Sequence, residues 1–347
     1  MNLKSLLIGS AAATVLATGA QAADAIVYAD PEPMEYVRIC DVYGAGFYYI
    51  PGTETCLKIG GYVRFETAAG LSSNVPGFQS GYATYARFAL QPDARSETEW
   101  GTLRAYADAW VQYSSSFGQG AILNEGYIEL IGASGTLRIG KADTPYTRFL
   151  GYAGLDSILD VSADVYGISN GYAFQNTTEI SYTFAGANGF SAIVAVLDNP
   201  NSDSWDSNFE GGLMVQQGWG SIGAIAGYDT LAGEWGVTAA LTGTFGNTTA
   251  KLQGFYNSDM TGASWYAINN FGNVAEWSVL GSLAHKFSEK VTLAGTAQWF
   301  SDDAGWLAGA EVQYTPVENL TVTPGVHYFS SNGDNFWGAA VRVQRSF

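Results

Sequence analysis

From Leu57 to the C-terminus the chain is written in a period of two. Trp235, Val237, Ala239, Leu241 and Phe245 share one parity, and Glu234, Thr238, Thr242 and Thr244 share the other. Trp277, Val279, Leu283 and Phe287 oppose Glu276, Ser278, Ser282 and Lys286 in the same way. So do Leu320, Val322, Pro324, Val326 and Tyr328 against Thr321, Thr323 and His327. Successive side chains of a strand point to opposite faces, so each segment has one greasy and one small or polar face. The chain ends on such a segment, Trp337 to Phe347, with Arg345 the one interruption of its apolar parity. Outside the first residues no apolar run is long enough for a membrane-spanning helix. Apolarity spread at period two fits either a transmembrane β-barrel or a soluble β-sandwich with one wet face. The polar parity favours the barrel, because Thr, Ser and Gly dominate where a soluble surface would carry Lys and Glu. Aromatics near segment ends fit interfacial girdles.

Sixteen segments are expected: 57–69, 82–92, 98–113, 122–132, 135–142, 176–185, 189–198, 208–217, 220–229, 234–245, 248–257, 273–287, 290–301, 304–315, 319–330 and 335–347. Short connectors such as Ala133-Ser134, Gly218-Trp219, Gly246-Asn247 and Ser288-Glu289 alternate with generally longer ones. That is the outer-membrane pattern of short periplasmic turns and long outer loops. The expected fold is all-β, a 16-stranded antiparallel transmembrane barrel over 57–347.

Residues 1–22 read as a cleaved secretory signal, with Lys4, an apolar stretch from Leu6 to Ala17, and Ala20-Gln21-Ala22 before the cut. Residues 23–56 differ from the rest and hold Pro31, Pro33, Pro51 and the only cysteines, Cys40 and Cys56. In an exported chain these point to a disulfide, with two free thiols as the alternative. Charged residues are 14% of the chain, against roughly 25% in an ordinary soluble domain. The net charge of −17 speaks against nucleic acid as a partner.

The longest interruption, 143–175, lies between the fifth and sixth segments, and so long a loop is usually functional. Asp156, Asp160 and Asp164 recur every four residues in it, aligned if the middle is helical, with Asp143 at its start. A solvated outer loop is the alternative. Arg64, Arg87, Arg104, Arg138 and Arg342 fall on the polar parity of segments one, two, three, five and sixteen. Closure would join the last segment to the first, so these five would form one arc of the wall. An arginine arc facing an acidic in-folded loop would set a transverse field across a water path. Pairing of each arginine with Glu66, Glu99, Asp108, Glu125 or Glu129 is the competing account.

No cofactor or metal is expected: His285 and His327 have no ligand-like spacing, and neither has a partner for catalysis. A receptor or adhesin barrel with a plugged lumen is one rival function. A solute-specific sugar channel is another, since Tyr62, Tyr85 and Tyr106 should face inward with the arginines.

The chain resembles the trimeric general porins of alphaproteobacteria. The residues that carry this are Ala23-Asp24-Ala25-Ile26-Val27, the run from Glu35 through Cys40 to Cys56, Gly60-Gly61-Tyr62-Val63-Arg64, and Arg342-Val343-Gln344-Arg345-Ser346-Phe347. The resemblance implies an outer-membrane homotrimer that passes small hydrophilic solutes and ions passively among lipid and lipopolysaccharide. It implies that 143–175 folds into the lumen as a constriction, with Asp143, Asp156, Asp160 and Asp164 on its acidic side and Arg64, Arg87, Arg104 and Arg138 opposite. It also implies that Phe347 closes the address read by the outer-membrane assembly machinery. The loop lacks the Pro-Glu-Phe-Gly-Gly motif of enterobacterial porins, so its fold cannot be copied from theirs.

Overall fold

Each of the sixteen alternating segments forms a strand, and each pairs antiparallel with its neighbours around a ring. The computed structural model describes residues 38–73, 81–157, 174–199, 201–202, 204, 206–270 and 272–347. The expected signal segment lies outside the described residues.

A two-residue strand β1 (Tyr48–Tyr49) precedes the wall. The first part of the wall is β2 (Cys56–Ser73), β3 (Tyr82–Thr98), β4 (Gly101–Ser114), β5 (Gly118–Gly132), β6 (Gly135–Asp143), β7 (Asn176–Ala185), β8 (Phe190–Asp198) and β9 (Ser207–Gln217). It continues with β10 (Gly220–Asp229), β11 (Glu234–Phe245) and β12 (Thr248–Asn257). A small hairpin of β13 (Ile268–Asn270) and β14 (Asn273–Ala275) stands apart from the wall sheet. The wall ends with β15 (Trp277–Ser288), β16 (Val291–Phe300), β17 (Gly305–Val317), β18 (Leu320–Ser331) and β19 (Asp334–Ser346). β19 pairs with β2, Arg342 opposite Glu66 and Ala340 opposite Ala68, which closes the ring. Closure gives every wall strand two neighbours, and that is what lets a sheet sit in hydrocarbon without exposed backbone donors and acceptors.

The distribution of side chains is inside-out. Phe88, Val194, Leu213, Leu241, Leu283 and Leu293 are exposed on the outer face, while Glu66, Glu129, Glu210, Lys251, Gln253 and Gln298 are buried within. At the long-loop end an aromatic belt runs along the outer face from β11 to β19. Its contacts are Trp235–Tyr256 at 5.0 Å, Trp277–Trp299 at 4.9 Å, Trp306–Tyr328 at 4.5 Å and Tyr328–Trp337 at 4.6 Å between ring centroids. Amphipathic rings at this level fit the headgroup region. These contacts exclude the soluble sandwich, whose outer face would be polar.

Two segment boundaries differ from expectation, with consequences for the lumen. The second segment runs to Thr98 rather than residue 92, which brings Asp93 and Arg95 onto the wall. The twelfth expected segment, 273–287, is broken at Glu276: Asn273–Ala275 belongs to the inner hairpin and the wall resumes at Trp277. Period two continues through both pieces, so the pattern alone could not reveal the break.

The cysteines are joined, Cys40 to Cys56, with Cα atoms 6.0 Å apart. The bond closes a knob at the short-turn rim, where β1 pairs with the start of β2. The knob is held from the wall. Arg95 lies over the rings of Phe47 and Tyr43, at 5.1 and 5.7 Å, and Tyr43 donates its hydroxyl to Glu97 at 2.7 Å. Burial, and then the neighbouring Glu97 carboxylate, push the Tyr43 phenol up to about 12, so it stays a donor at physiological pH.

Candidate functional site

The arginine arc exists and resolves into two groups. At the seam, Arg342 donates to Glu66 at 2.5 Å, and Arg64 lies 3.7 Å from the same carboxylate and donates to Gln344 at 2.9 Å. Arg87 is opposite Arg64 in register and donates to the hydroxyls of Tyr85 at 2.6 Å and Tyr62 at 3.4 Å. Its guanidinium lies 3.6 Å from the ring centre of Trp110. Hydroxyls and an aromatic face let two like charges share one level of the wall. In the second group, Arg104 bridges Asp93 at 3.0 Å and Glu129 at 2.8 Å, Arg138 pairs with Glu129 at 2.9 Å, and Arg95 pairs with Asp93 at 2.7 Å. Arg95 and Asp93 escaped the sequence reading because it ended their strand too early.

The competing account, pairing with nearby acids, describes most of these arginines. Glu66 and Glu129 neutralise part of the arc, as does Asp93. These three carboxylates hold Arg342, Arg64, Arg104, Arg138 and Arg95, and Asp108 on β4 and Glu125 on β5 lie on the same inner face. The inward tyrosines serve the arginines too. Arg64 lies over Tyr62 at 4.7 Å, Arg87 over Tyr85 at 5.0 Å and Arg104 over Tyr106 at 4.7 Å.

The loop that begins at Asp143 turns inward at once. Asp143 is buried and accepts hydrogen bonds from Tyr152 at 2.6 Å and Asn176 at 2.7 Å, so it fastens the two ends of the loop's root. A short helix, Pro145–Arg148, follows. Proline suits its first position, where the missing N–H costs nothing. From the helix, Arg148 pairs with Glu179 on β7, and the Tyr146 amide donates to Glu210 on β9 at 2.7 Å. The chain then crosses further inner faces. The Lys251 ammonium on β12 binds the carbonyls of Leu150, Gly151 and Tyr152 at 3.2, 2.9 and 2.6 Å. The Leu155 amide donates to Ser282 on β15 at 2.8 Å, and the Ser157 amide to Glu311 on β17 at 2.9 Å. The described part of the loop thus lies on the wall facing the arginine arc across the ring. Asp156 sits in this run outside any helix, so the four-residue spacing does not place it on a helical face. Asp160 and Asp164 lie outside the described residues.

A second loop enters the lumen, between β12 and β15, and the sequence reading missed it. Tyr266, Ile268 and Ala275 are fully buried there. Ile268 and Ala275 sit on an apolar patch of the inner wall that includes Phe255, Leu280, Phe300, Leu307, Phe329 and Phe336, and Tyr266 on a second one with Ile193, Ile225 and Ala240. Phe255, Leu280, Phe300 and Phe329 each follow or precede a polar inward neighbour by two positions, so a switch of the inward parity from polar to apolar near the loop end was the available signal. The lumen is therefore not wet throughout, contrary to expectation.

Residues 24–345 match the Porin subfamily. The chain belongs to this porin family. The porin is 40% identical to Porin Omp2b of Brucella canis and 39% identical to that of Brucella melitensis biotype 1, each over the whole of both chains. In fold it resembles a Rh. blastica porin mutant, with a TM-score of 0.58 and 16% identity, covering 84% of this chain and all of that one. It also resembles Pseudomonas putida OprB, with a TM-score of 0.61 and 13% identity, covering 84% of this chain and 94% of that one. The porin is thus an outer-membrane β-barrel channel protein and not an enzyme.

Proposed function

We propose that solutes cross this porin between the pinned loop 143–175 and the arginine arc, and that this gap is the constriction. The observation that carries the proposal is the set of loop anchors on β7, β9, β12, β15 and β17, which face Arg342, Arg64, Arg87, Arg104 and Arg138 across the ring. Passage is passive diffusion of small hydrophilic solutes and ions down their own gradients. Asp156, Asp160 and Asp164 supply the acidic side, and Asp143 holds the loop's root. A sugar-specific channel is disfavoured by the stacking of Tyr62, Tyr85 and Tyr106 under guanidiniums, which leaves one ring face fewer for a sugar to slide on.

The mature charge becomes −18 once the signal with Lys4 is removed, 14 basic against 32 acidic residues. With the arc partly neutralised by Glu66, Asp93 and Glu129, a weak preference for cations follows. The porin works as a homotrimer in lipid and lipopolysaccharide. The aromatic belt marks β11–β19 as lipid-facing, while Ala105, Ala107 and Ala109 on the outer parity of β4 allow close approach of a second copy. Phe347, which pairs its backbone with Gly61 at 3.0 Å, closes the signal read by the assembly machinery.

Purified protein in a planar bilayer across a KCl gradient tests this. Stepwise ohmic conductance in groups of three, with a weakly cation-selective reversal potential, is expected. A sealed bilayer rejects the channel, and a strongly anion-selective potential rejects the charge balance.

A further inference from the structure

The inner wall carries a slot built for one side chain. Glu210 on β9, Gly227 on β10 and Gly236 on β11 are consecutive partners in register and form a row across the inner face. Tyr266, from the loop between β12 and β15, lies over the two glycines. A Cβ on Gly227 would come within 2.3 Å of its ring, and one on Gly236 within 2.5 Å of its own Cβ. Any larger residue at either position would expel it. From this slot the Tyr266 hydroxyl donates to Glu210 at 3.1 Å. The other oxygen of that carboxylate accepts the Tyr146 amide at the root of the constriction loop, at 2.7 Å. The Tyr146 and Tyr266 rings are 5.0 Å apart, and Gln175, at the far end of the constriction loop, donates to the Trp265 carbonyl at 2.6 Å. The two loops are therefore joined at both ends of the constriction loop's root.

Beyond Tyr266 the same loop is fixed further along this side of the wall, between β16 and β18. Asn270 donates to the carbonyls of Ala304 at 2.6 Å and Ser330 at 2.8 Å, and Asn273 donates to Ser331 at 2.8 Å. Ile268 and Ala275 are buried in the apolar patch of β12 and β15–β19. Burial of apolar side chains against a wall that is otherwise polar leaves this loop no comparable alternative position.

We propose that the β12–β15 loop is a resident partial plug. It occludes the β9–β19 side of the outer mouth and holds the root of the constriction loop, with Tyr266 as the positioning residue for both. The solute path is thereby confined to the arginine side before the constriction is reached. This rests on the constriction assigned above to loop 143–175.

The test uses full-length protein carrying Ile268→Cys in a background of Cys40 and Cys56 joined, with and without Tyr266→Ala, in liposomes and planar bilayers. Folded barrel is selected by its heat-modifiable mobility. With Tyr266 present, the introduced thiol should resist a membrane-impermeant maleimide. With Tyr266→Ala it should be labelled, single-channel conductance should rise, and larger sugars should enter in liposome swelling. Unchanged labelling overturns the plug, and labelling without a rise in conductance or sugar size overturns its role in the path. If Tyr266→Ala does not assemble, Tyr266→Phe is read by the same outcomes: it keeps the ring and removes only the hydroxyl bond to Glu210, so faster labelling and noisier current are expected, and wild-type behaviour overturns the clamp. Lys251→Ala, which frees the constriction loop from β12 alone, separates the two ideas. If it changes conductance and Tyr266→Ala does not, the plug fails and the constriction stands. If neither changes it, the constriction assignment fails.

Discussion

Arg342 and Glu66 are direct partners across the seam where the last strand meets the first, 2.5 Å from Nε to Oε1, with Glu66 fully buried. The final strand thus closes the ring with an ion pair as well as backbone bonds. Removing one member leaves the other charge uncompensated. Glu66→Ala should therefore destabilise the folded barrel by about 3 kcal/mol, and the double change Glu66→Met with Arg342→Met by less. Urea midpoints followed by heat-modifiable mobility measure this. Equal losses for the single and double variants would show that packing at the seam matters and charge does not.

The knob closed by Cys40 and Cys56 is a local unit on the rim. Its loop spans 16 positions, so cross-linking favours the closed form by about 3 kcal/mol through the entropy of the open chain. Cys40→Ser with Cys56→Ser should expose Tyr43, Phe47, Tyr48 and Tyr49 to chymotrypsin while the barrel itself stays resistant. Cleavage throughout the wall would instead mean that knob and barrel unfold together.

The mouth loop has an acid-sensitive turn. Asp259 accepts the Thr261 amide, the Thr261 hydroxyl and the Ser264 amide, each at 2.6 Å. Burial alone would raise its carboxyl, but these hydrogen bonds outweigh that and hold it below the usual carboxylate range. A lowered folded value means that the stabilisation is complete above the unfolded pKa of about 3.9 and is lost as pH falls through the folded value. Amide exchange at 261–266, corrected for intrinsic rates, should be slow at neutral pH and should approach that of Asp259→Asn only as pH falls below the ordinary carboxylate range. Parallel profiles for the two proteins through that fall would exclude Asp259 as the source.

The outer face of β4 gives a test of assembly that leaves the lumen untouched. Ala109 is exposed there, on the parity opposite Arg104 and Asp108. Ala109→Trp should convert trimers to monomers on native gels while single-barrel conductance remains. Trimers of normal stability would move the subunit contact to another arc.

The wall was legible in the sequence because membrane burial imposes one rule on every strand, and Leu241 and Thr242 obey it as plainly as Val322 and Thr323. The arginines were legible for the same reason. Arg95 was not, because it lies beyond residue 92, where the second segment is expected to end, and pairing with β4 carries the strand on to Thr98. The mouth loop was hidden for a different reason. Asn273 to Ala275 keeps the strand period although it pairs with Ile268 to Asn270 rather than with the wall. Only the third dimension shows that Phe300 and Phe329, inward by parity, are covered by that hairpin and do not face water.

The grip of Lys251 on Leu150, Gly151 and Tyr152 is made entirely through main-chain carbonyls. The wall therefore fixes the course of the loop without specifying its side chains. Substitutions along that stretch can change charge, bulk or polarity on the loop proposed as the constriction while the ammonium keeps its three oxygen ligands. Permeability can be retuned one residue at a time in a frame that stays where it is.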